Sequence, residues 1–352
     1  MIFNNLLKVM AIIMKIKKCY VYVFAALIIV AIGICYFMFA KRTIYSKEDA
    51  FAMDTYVNFQ VWGEGDGAKN SSEIVSELDK QFSMYNDDTS SIATINRSAG
   101  QPVKTSSEII DIINESNALS KKYGNAVDIT SGSLTKLWGI STDSPYLPTN
   151  GEALEAVSHI DYSKVSINGD KITLPKGTEI DLGSVAKGYA CDKLKELYDK
   201  GNISCAIASM GSSSLLYGTK PDKSKFNVEI KNPDGGEALG IIKTGETFLS
   251  TSGGYERFFE VDGVKYSHIF NLKTGFPAKS DITSVTVLCD SGIESDFLST
   301  LIFIDDIKGL KNHLNAEHYK IVVATSDKKV YTSKGIDFNL NENSGYIKGD
   351  LQ

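Results

Sequence analysis

Twelve residues, Asp181-Leu-Gly-Ser-Val-Ala-Lys-Gly-Tyr-Ala-Cys-Asp192, constrain the fold more than any other stretch of the chain. Thr178 to Leu182 reads as the end of a strand. Gly183 and Ser184 make a tight turn, because glycine tolerates φ > 0 and carries no Cβ. Ala186 to Tyr198 then has helix-forming composition, with Ala190, Leu194 and Leu197 on one stripe. A strand fed directly into an amphipathic helix commits the chain to a mixed α and β architecture. Lys187 falls in the first helical turn, where unpaired backbone N–H groups point the same way. That combination suits a phosphate or pyrophosphate. The stretch is not a Walker A loop, since Gly188 stands where Ser or Thr should hold magnesium, and it is not a dinucleotide glycine fingerprint. A solvated helix lysine is the plain alternative.

The rest of the chain mixes helices and strands without strict alternation, which predicts a single α+β unit over residues 51–345 rather than a doubly wound sheet. Thr55–Trp62 alternates as a strand, closed by Gly63-Glu-Gly-Asp-Gly. Ser71–Phe82, capped by its serine, and Ser107–Tyr123 read as helices. Asn168-Gly169 marks a hairpin tip within Val165–Leu174. Ser204–Tyr217, Phe226–Ile230, Glu256–Val261, Lys265–Phe270, Thr283–Leu288 and parts of 319–340 read as strands. Asp296–Asp305 and Ile307–Leu314 read as helices.

The front end is different. Cys19 to Ala40 contains no charged residue and is long enough to span a bilayer. Lys8, Lys15, Lys17 and Lys18 precede it, so residues 1–18 are expected to stay in the cytoplasm as a tail. Residues 19–40 are then a single-pass anchor and 41–50 a polar tether, with the remainder extracytoplasmic at the cell membrane. A cleaved signal peptide, or a lipoprotein modified near Cys35, are the alternatives. Residues 1–50 carry a net charge of +5, which leaves −11 for the rest of a chain whose total is −6. That acidity argues against nucleic acid as a partner. Cys191, Cys205 and Cys289 have no metal or disulfide spacing and read as core.

Three constellations bear on chemistry. Asp296 and Thr300 are four apart on an expected helix, so one face carries a carboxylate and a hydroxyl, a hard-oxygen pair suited to Mg²⁺ rather than zinc. His268 lies between an expected strand and a Thr274-Gly275 turn, whereas His159, His313 and His318 suit solvent-exposed roles. Ser250-Thr-Ser-Gly-Gly-Tyr-Glu-Arg257 is a hydroxyl- and glycine-rich turn able to cradle an anion through its N–H groups. The absence of a G-x-S-x-G elbow argues against a serine hydrolase.

Taken together, these segments resemble the ApbE family, the FAD:protein FMN transferases. They match in the family's order: Met53-Asp-Thr55; Phe82-Ser-Met-Tyr85 through Asn96; Asp128-Ile-Thr130 through Gly139; Asp181 through Asp192; Ser209-Met-Gly211 through Gly218; Thr251 through Arg257; His268 through Pro277; Asp296 through Thr300. The resemblance implies an ApbE-like, T-fold-related catalytic domain with a cleft for FAD. Met53, Tyr85, Asp128, Thr130, Asp181 and Lys187 match positions that contact FAD. His268 and Thr274 match the segment beside the reacting phosphate. Asp296 and Thr300 match magnesium ligands, and Ser184 a position that offers its backbone carbonyl. The chain departs from the family at Asn271-Leu-Lys273, which replaces Asp-Pro-Arg, at Gly254, where Asp is usual, and at Ser209 and Ser212, which replace Asn and Gly.

The expected activity is therefore Mg²⁺-dependent transfer of FMN from FAD, the substrate, to a threonine hydroxyl of an acceptor protein, with release of AMP. His268 is the candidate general base, since an unperturbed imidazole titrates near neutrality. The resemblance implies that the acceptor is a subunit of a membrane redox complex. The rival readings are an FAD pyrophosphatase giving FMN and AMP, and a non-catalytic flavin-binding surface protein.

Overall fold

Nine strands hydrogen-bond in chain order to make the central sheet, in a computed structural model that describes residues 44–85 and 90–350, together with residues 8, 10, 14, 20, 22 and 28–31. They are β1 (Ile44–Ala52), β2 (Thr55–Gly63), β3 (Ile203–Met210), β4 (Ser213–Gly218), β5 (Thr247–Gly253), β6 (Ile282–Cys289), β7 (Tyr319–Thr325), β8 (Lys329–Thr332) and β9 (Ile347–Lys348). Every neighbouring pair is antiparallel except β8 with β9. The helices are α1 (Gly67–Phe82), α2 (Ser91–Arg97), α3 (Ser107–Tyr123), α4 (Gly132–Trp138), α5 (Asn150–Ser158), α6 (Ala186–Lys200) and α7 (Gly292–Leu314).

Both faces of the inner strands β6 and β7 are covered, which is why they read as apolar runs, whereas β2 alternates and edge strand β1 is largely exposed. On β4, Leu215 joins the main core with α6 and α7, while Leu216 turns to a second core under a three-stranded sheet of Phe226–Ile230, Gly240–Thr244 and Phe338–Leu340. On β6, Val285 and Val287 face the first core and Leu288 the second. Trp138 is fully buried in a third cluster with Leu134, Ala156 and Phe270. The expected α+β architecture is present.

Several boundaries differ from expectation. Residues 44–50, expected as tether, form edge strand β1, because they pair residue for residue with β2 from Ile44↔Gly63 to Ala52↔Thr55. The compact unit accordingly starts at Ile44. Helix α1 starts a turn before Ser71, whose hydroxyl is buried against Gly67 O (2.7 Å) and Tyr198 Oη (2.8 Å) rather than capping. Ser204–Tyr217 is two strands, split by a turn at Gly211 with φ +63°. Thr178–Leu182 is not a strand; it makes a single parallel bridge, Ser131↔Glu179. The two C-terminal helices are one element, kinked at Asp306. The expected tail and anchor, residues 1–40, lie largely outside the described residues, among which no helix is long and apolar enough to cross a membrane.

Candidate active site

Antiparallel order places the end of β1, the start of β2, the end of β3, the start of β4 and the end of β5 at one end of the sheet. A cleft of ≈ 420 Å³ opens there, lined by Met53, Asp54 and Thr55, by Gly211 and Ser212, and by Thr251, Ser252 and Gly253. Met53 and Asp54 are the two central residues of the β1–β2 hairpin, with φ of +52° and +57°. That turn geometry favours Asn-Gly, so two side chains are held in left-handed backbone at the cleft wall; Asp tolerates it, and Met53 carries a cost of roughly 1–3 kcal/mol. Gly211 packs against this tip, where an added Cβ would sit 2.5 Å from Thr55 Oγ1.

The N-termini of α6 and α7 form the opposite wall, and each helix caps the other. The residue before α6, Val185, offers no side-chain cap. Instead Asp296, on α7, accepts the Gly188 N–H at 2.6 Å. In return Asp192, on α6, accepts the N–H groups of Gly292 and Ile293, each at 2.7 Å. These bonds satisfy amides that a helix start leaves orphaned. Burial pushes the Asp192 carboxyl up to about 6, against the opposing pull of those two N–H groups. The helices approach this closely because glycine meets glycine: a Cβ on Gly188 would lie 2.5 Å from Gly292 C and 2.9 Å from Ile293 N. Gly183, expected to need a positive φ, does not adopt one. Its bareness leaves room for the Asp181 carboxylate, from which a Cβ would be 3.2 Å.

Asp296 is buried, 6% exposed, with its carboxylate in the cleft wall. The Ser213 hydroxyl donates to its Oδ1 at 2.6 Å. Thr300 lines the same wall, one helical turn on, and its hydroxyl lies 3.2 Å from Ser252 Oγ. Ser184 lines the cleft as well. The three expected metal-site residues thus share one cavity. No group of three or more His, Cys, Asp or Glu that could hold a metal gathers among the described residues. A carboxylate, a hydroxyl and a carbonyl nevertheless fit Mg²⁺, which is usually held by one or two carboxylates with water and substrate phosphates completing its shell.

The other expected residues divide. Met53, Tyr85, Asp128, Asp181, Lys187 and His268 all line the cleft. Asp128 and Asp181 spend their oxygens on the protein. Asp128 accepts from Thr130 N–H (2.8 Å), Thr130 Oγ1 (2.7 Å) and Tyr162 N–H (3.0 Å). Asp181 accepts from Gly183 N–H (2.8 Å) and the Thr135 hydroxyl (2.7 Å). Thr130 does not line the cleft; it is fully buried behind Asp128. Thr274 is exposed and also off the cleft wall, in a turn whose Asn271 carbonyl accepts Thr274 N–H at 3.0 Å and Gly275 N–H at 2.9 Å. Asn271, standing where the family has Asp, still folds that turn by accepting the Lys273 N–H at 2.9 Å.

His268 Nδ1 is 3.1 Å from the Arg257 carbonyl. A carbonyl only accepts, so Nδ1 carries the proton and Nε2 keeps its lone pair. Burial lowers the imidazole pKa to about 4; the Arg257 carbonyl opposes this, and the charges of Arg257 and Lys187 add to it. The ring is therefore neutral at pH 7. Lys187 makes no hydrogen bond or ion pair among the described residues. Tyr85, 46% exposed, has its phenol pushed up to about 12, first by burial and then by Asp181 and Asp54.

Sequence reasoning missed Ser213, the capping role of Asp192, and Asp79. Asp79 sits on α1 at the cleft wall, its carboxyl raised by burial against a hydrogen bond from Met53. Asp192 closes the opening stretch and could have been found there; nothing local marks Ser213. His313, expected in solvent, is held by Tyr319 Oη (2.7 Å) and Asp305 (3.1 Å).

The ApbE family model matches residues 53–323 of this chain. An FAD:protein FMN transferase of Treponema pallidum (strain Nichols) is 30% identical over 262 residues, 66% of this chain and 72% of that protein. One from Vibrio cholerae serotype O1 is 28% identical over 237 residues, 66% of this chain and 71% of that protein. Among solved structures, the ApbE protein of Thermotoga maritima superposes with a TM-score of 0.72 at 25% identity, covering 85% of this chain and 97% of its own. A mutant of the flavin transferase ApbE from Vibrio cholerae gives 0.71 at 25% identity, covering 83% and 98%.

Proposed function

The chain belongs to the ApbE family, and from that membership we propose that it transfers FMN from FAD to a threonine hydroxyl of an acceptor protein, with release of AMP, in a Mg²⁺-dependent reaction. One observation carries the reading: a single cleft gathers an oxygen-only donor set, a lysine without a partner among the described residues, and a neutral histidine with a free Nε2. The Asp296 carboxylate, the Thr300 hydroxyl and the Ser184 carbonyl would hold Mg²⁺. When bound, the ion supplies neutralisation of charge on the pyrophosphate.

The chain's own groups do the rest. Lys187, in the first turn of α6, offsets phosphate charge with its ammonium group. The acceptor threonine oxygen forms a bond to the FMN-side phosphorus as the bond to the bridging oxygen breaks, and that oxygen leaves with AMP. The threonine proton passes to His268 Nε2. Before FAD binds, burial depresses this imidazole most, and the charges of Arg257 and Lys187 add to it. The negative phosphates of FAD offset those charges and raise its basicity.

The test is mass spectrometry of an acceptor peptide after incubation with FAD and Mg²⁺, with a parallel incubation lacking acceptor. Transfer predicts a threonine carrying FMN. Rapid release of free FMN without acceptor would instead identify a pyrophosphatase. Flavin turnover that survives Asp296→Ala unchanged would overturn the metal site.

For location, we propose that residues 19–40 anchor the chain in the cell membrane, with the cleft on the extracytoplasmic side and a subunit of a membrane redox complex as acceptor. The support is the uncharged run and the lysines before it. Protease added to intact cells should digest the catalytic domain; full protection would refute this orientation.

A further inference from the structure

We propose that Ser213 is a positioning residue for Asp296, fixing the direction in which its carboxylate offers oxygen to a divalent cation. The inference rests on the reading of Asp296 as a cation ligand.

Asp296 reaches the cleft from α7 on a short side chain whose terminal torsion has a broad, shallow preference. Two donors remove that freedom. Gly188 N–H holds Oδ2 and Ser213 Oγ holds Oδ1, both at 2.6 Å, from two different elements. Each carboxylate oxygen has two lone-pair sites, so each keeps one for a ligand in the cleft. Gly188 is backbone and belongs to the helix cap. Ser213 is the one side chain in the clamp.

Its own position is rigid. Ser213 opens β4 and is fully buried. It is paired on one side with Met210 of β3 and on the other with Ser250 of β5. The pleat therefore fixes its side chain on the same face as Leu215, towards α6 and α7. A hydroxyl at a fully buried strand position needs a partner, and its recorded partner is the Asp296 carboxylate.

Ser250 provides the contrast. It lies beside Ser213 in the sheet and is equally buried, but its hydroxyl meets Ser295 Oγ at 2.8 Å and not Asp296. Truncating either serine removes one buried hydroxyl; only Ser213→Ala releases Oδ1 of the Asp296 carboxylate. Groups that orient a metal ligand typically contribute 10–100-fold to metal affinity.

The experiment titrates the full chain with MnCl₂ alone, counting free Mn²⁺ by electron paramagnetic resonance. It compares wild type, Ser213→Ala, Ser213→Cys, Ser250→Ala and Asp296→Ala. Ser213→Cys preserves volume while replacing the hydroxyl with a weak donor, which covers a folding defect in the alanine variant. The proposal expects Mn²⁺ affinity to fall about tenfold or more in both Ser213 variants and to stay within twofold in Ser250→Ala. In FMN transfer, the Mg²⁺ half-saturation should rise by a similar factor while the rate at saturating Mg²⁺ stays within about threefold. Binding lost in Asp296→Ala but retained in both Ser213 variants overturns the positioning role. An equal loss in Ser250→Ala also overturns it, by exposing a general packing effect. Mn²⁺ binding unchanged in Asp296→Ala overturns the underlying reading of the ligand itself.

Discussion

Replacing Gly188 by alanine separates two opposing physical effects. In an isolated helix, Gly→Ala is stabilising by about 1 kcal/mol, because glycine loses more backbone entropy. In this fold the new Cβ would overlap Gly292 O and lie 2.5 Å from Gly292 C, where ordinary contact begins at 3.4 Å. The obstacle is backbone on α7, so rotamer change cannot relieve it, and the helix starts must part by more than about 0.9 Å. Overpacking of this kind costs about 1–3 kcal/mol. Parting also stretches three hydrogen bonds to carboxylates, at 2.6, 2.7 and 2.7 Å. Bonds to charged groups contribute about 1.5–3 kcal/mol each, and a partial loss across three adds about 2 kcal/mol. Subtracting the propensity gain leaves a net destabilisation of about 3 kcal/mol. The assay is thermal or urea unfolding of the 44–352 unit, with a melting temperature lowered by roughly 6–12 °C. FMN transfer should fall further than stability explains, because Asp296 moves with α7. A variant as stable as wild type, or more stable, would refute the claim that the two helices are locked through their glycines.

Three further outcomes are expected. His268 has a folded pKa of about 4 against about 6.5 unfolded, so its contribution is complete above pH 6.5 and is lost as pH falls through 4. Burial is partial, so about 3 kcal/mol is the ceiling, and His268→Gln should flatten the acid limb of stability against pH; an unchanged limb counts against the buried neutral ring. Replacing Met53-Asp54 by Asn-Gly should stabilise the hairpin by about 1–3 kcal/mol while raising KM for FAD, since the strained turn relaxes but the cleft loses Met53. A variant that is both more stable and equally active would show the strain to be incidental. Thr130→Val should cost about 1–3 kcal/mol and weaken FAD binding without abolishing turnover, because the hydroxyl holds Asp128 from outside the cleft. Complete loss of turnover in a folded variant would mean that Thr130 touches substrate.

Much of the fold was legible where the signal is local. The helix Ser107–Tyr123 matches its expected range to the residue; the Ser106 hydroxyl accepts the Ile109 N–H at its start and Gly124 follows its end. Phe226–Ile230 was equally clear. Errors arose where a partner decides. Residues 44–50 are polar enough to read as tether, and only pairing with β2 makes them a strand. Ser71 has a capping side chain, but Tyr198 claims its hydroxyl. Thr178–Leu182 reads as a strand, yet its neighbour pairs at one residue only, since the chain at Gly132 turns into α4.

The same division holds at the site. Asp296 and Thr300 lie four apart on a helix, and Lys187 follows its turn by three residues; the backbone period carries such relations, so the sequence alone determined them. It also determined, through resemblance, that these segments belong together. Only the tertiary structure decided how. Asp192 and Asp296 cap each other's helices across about a hundred residues of chain, and Ser213 reaches Asp296 from a separate strand. No period links such positions, because their distances depend on how closely two helices pack on a sheet. That closeness depends on a pair of glycines, Gly188 and Gly292, whose significance in the linear chain is only the absence of a side chain.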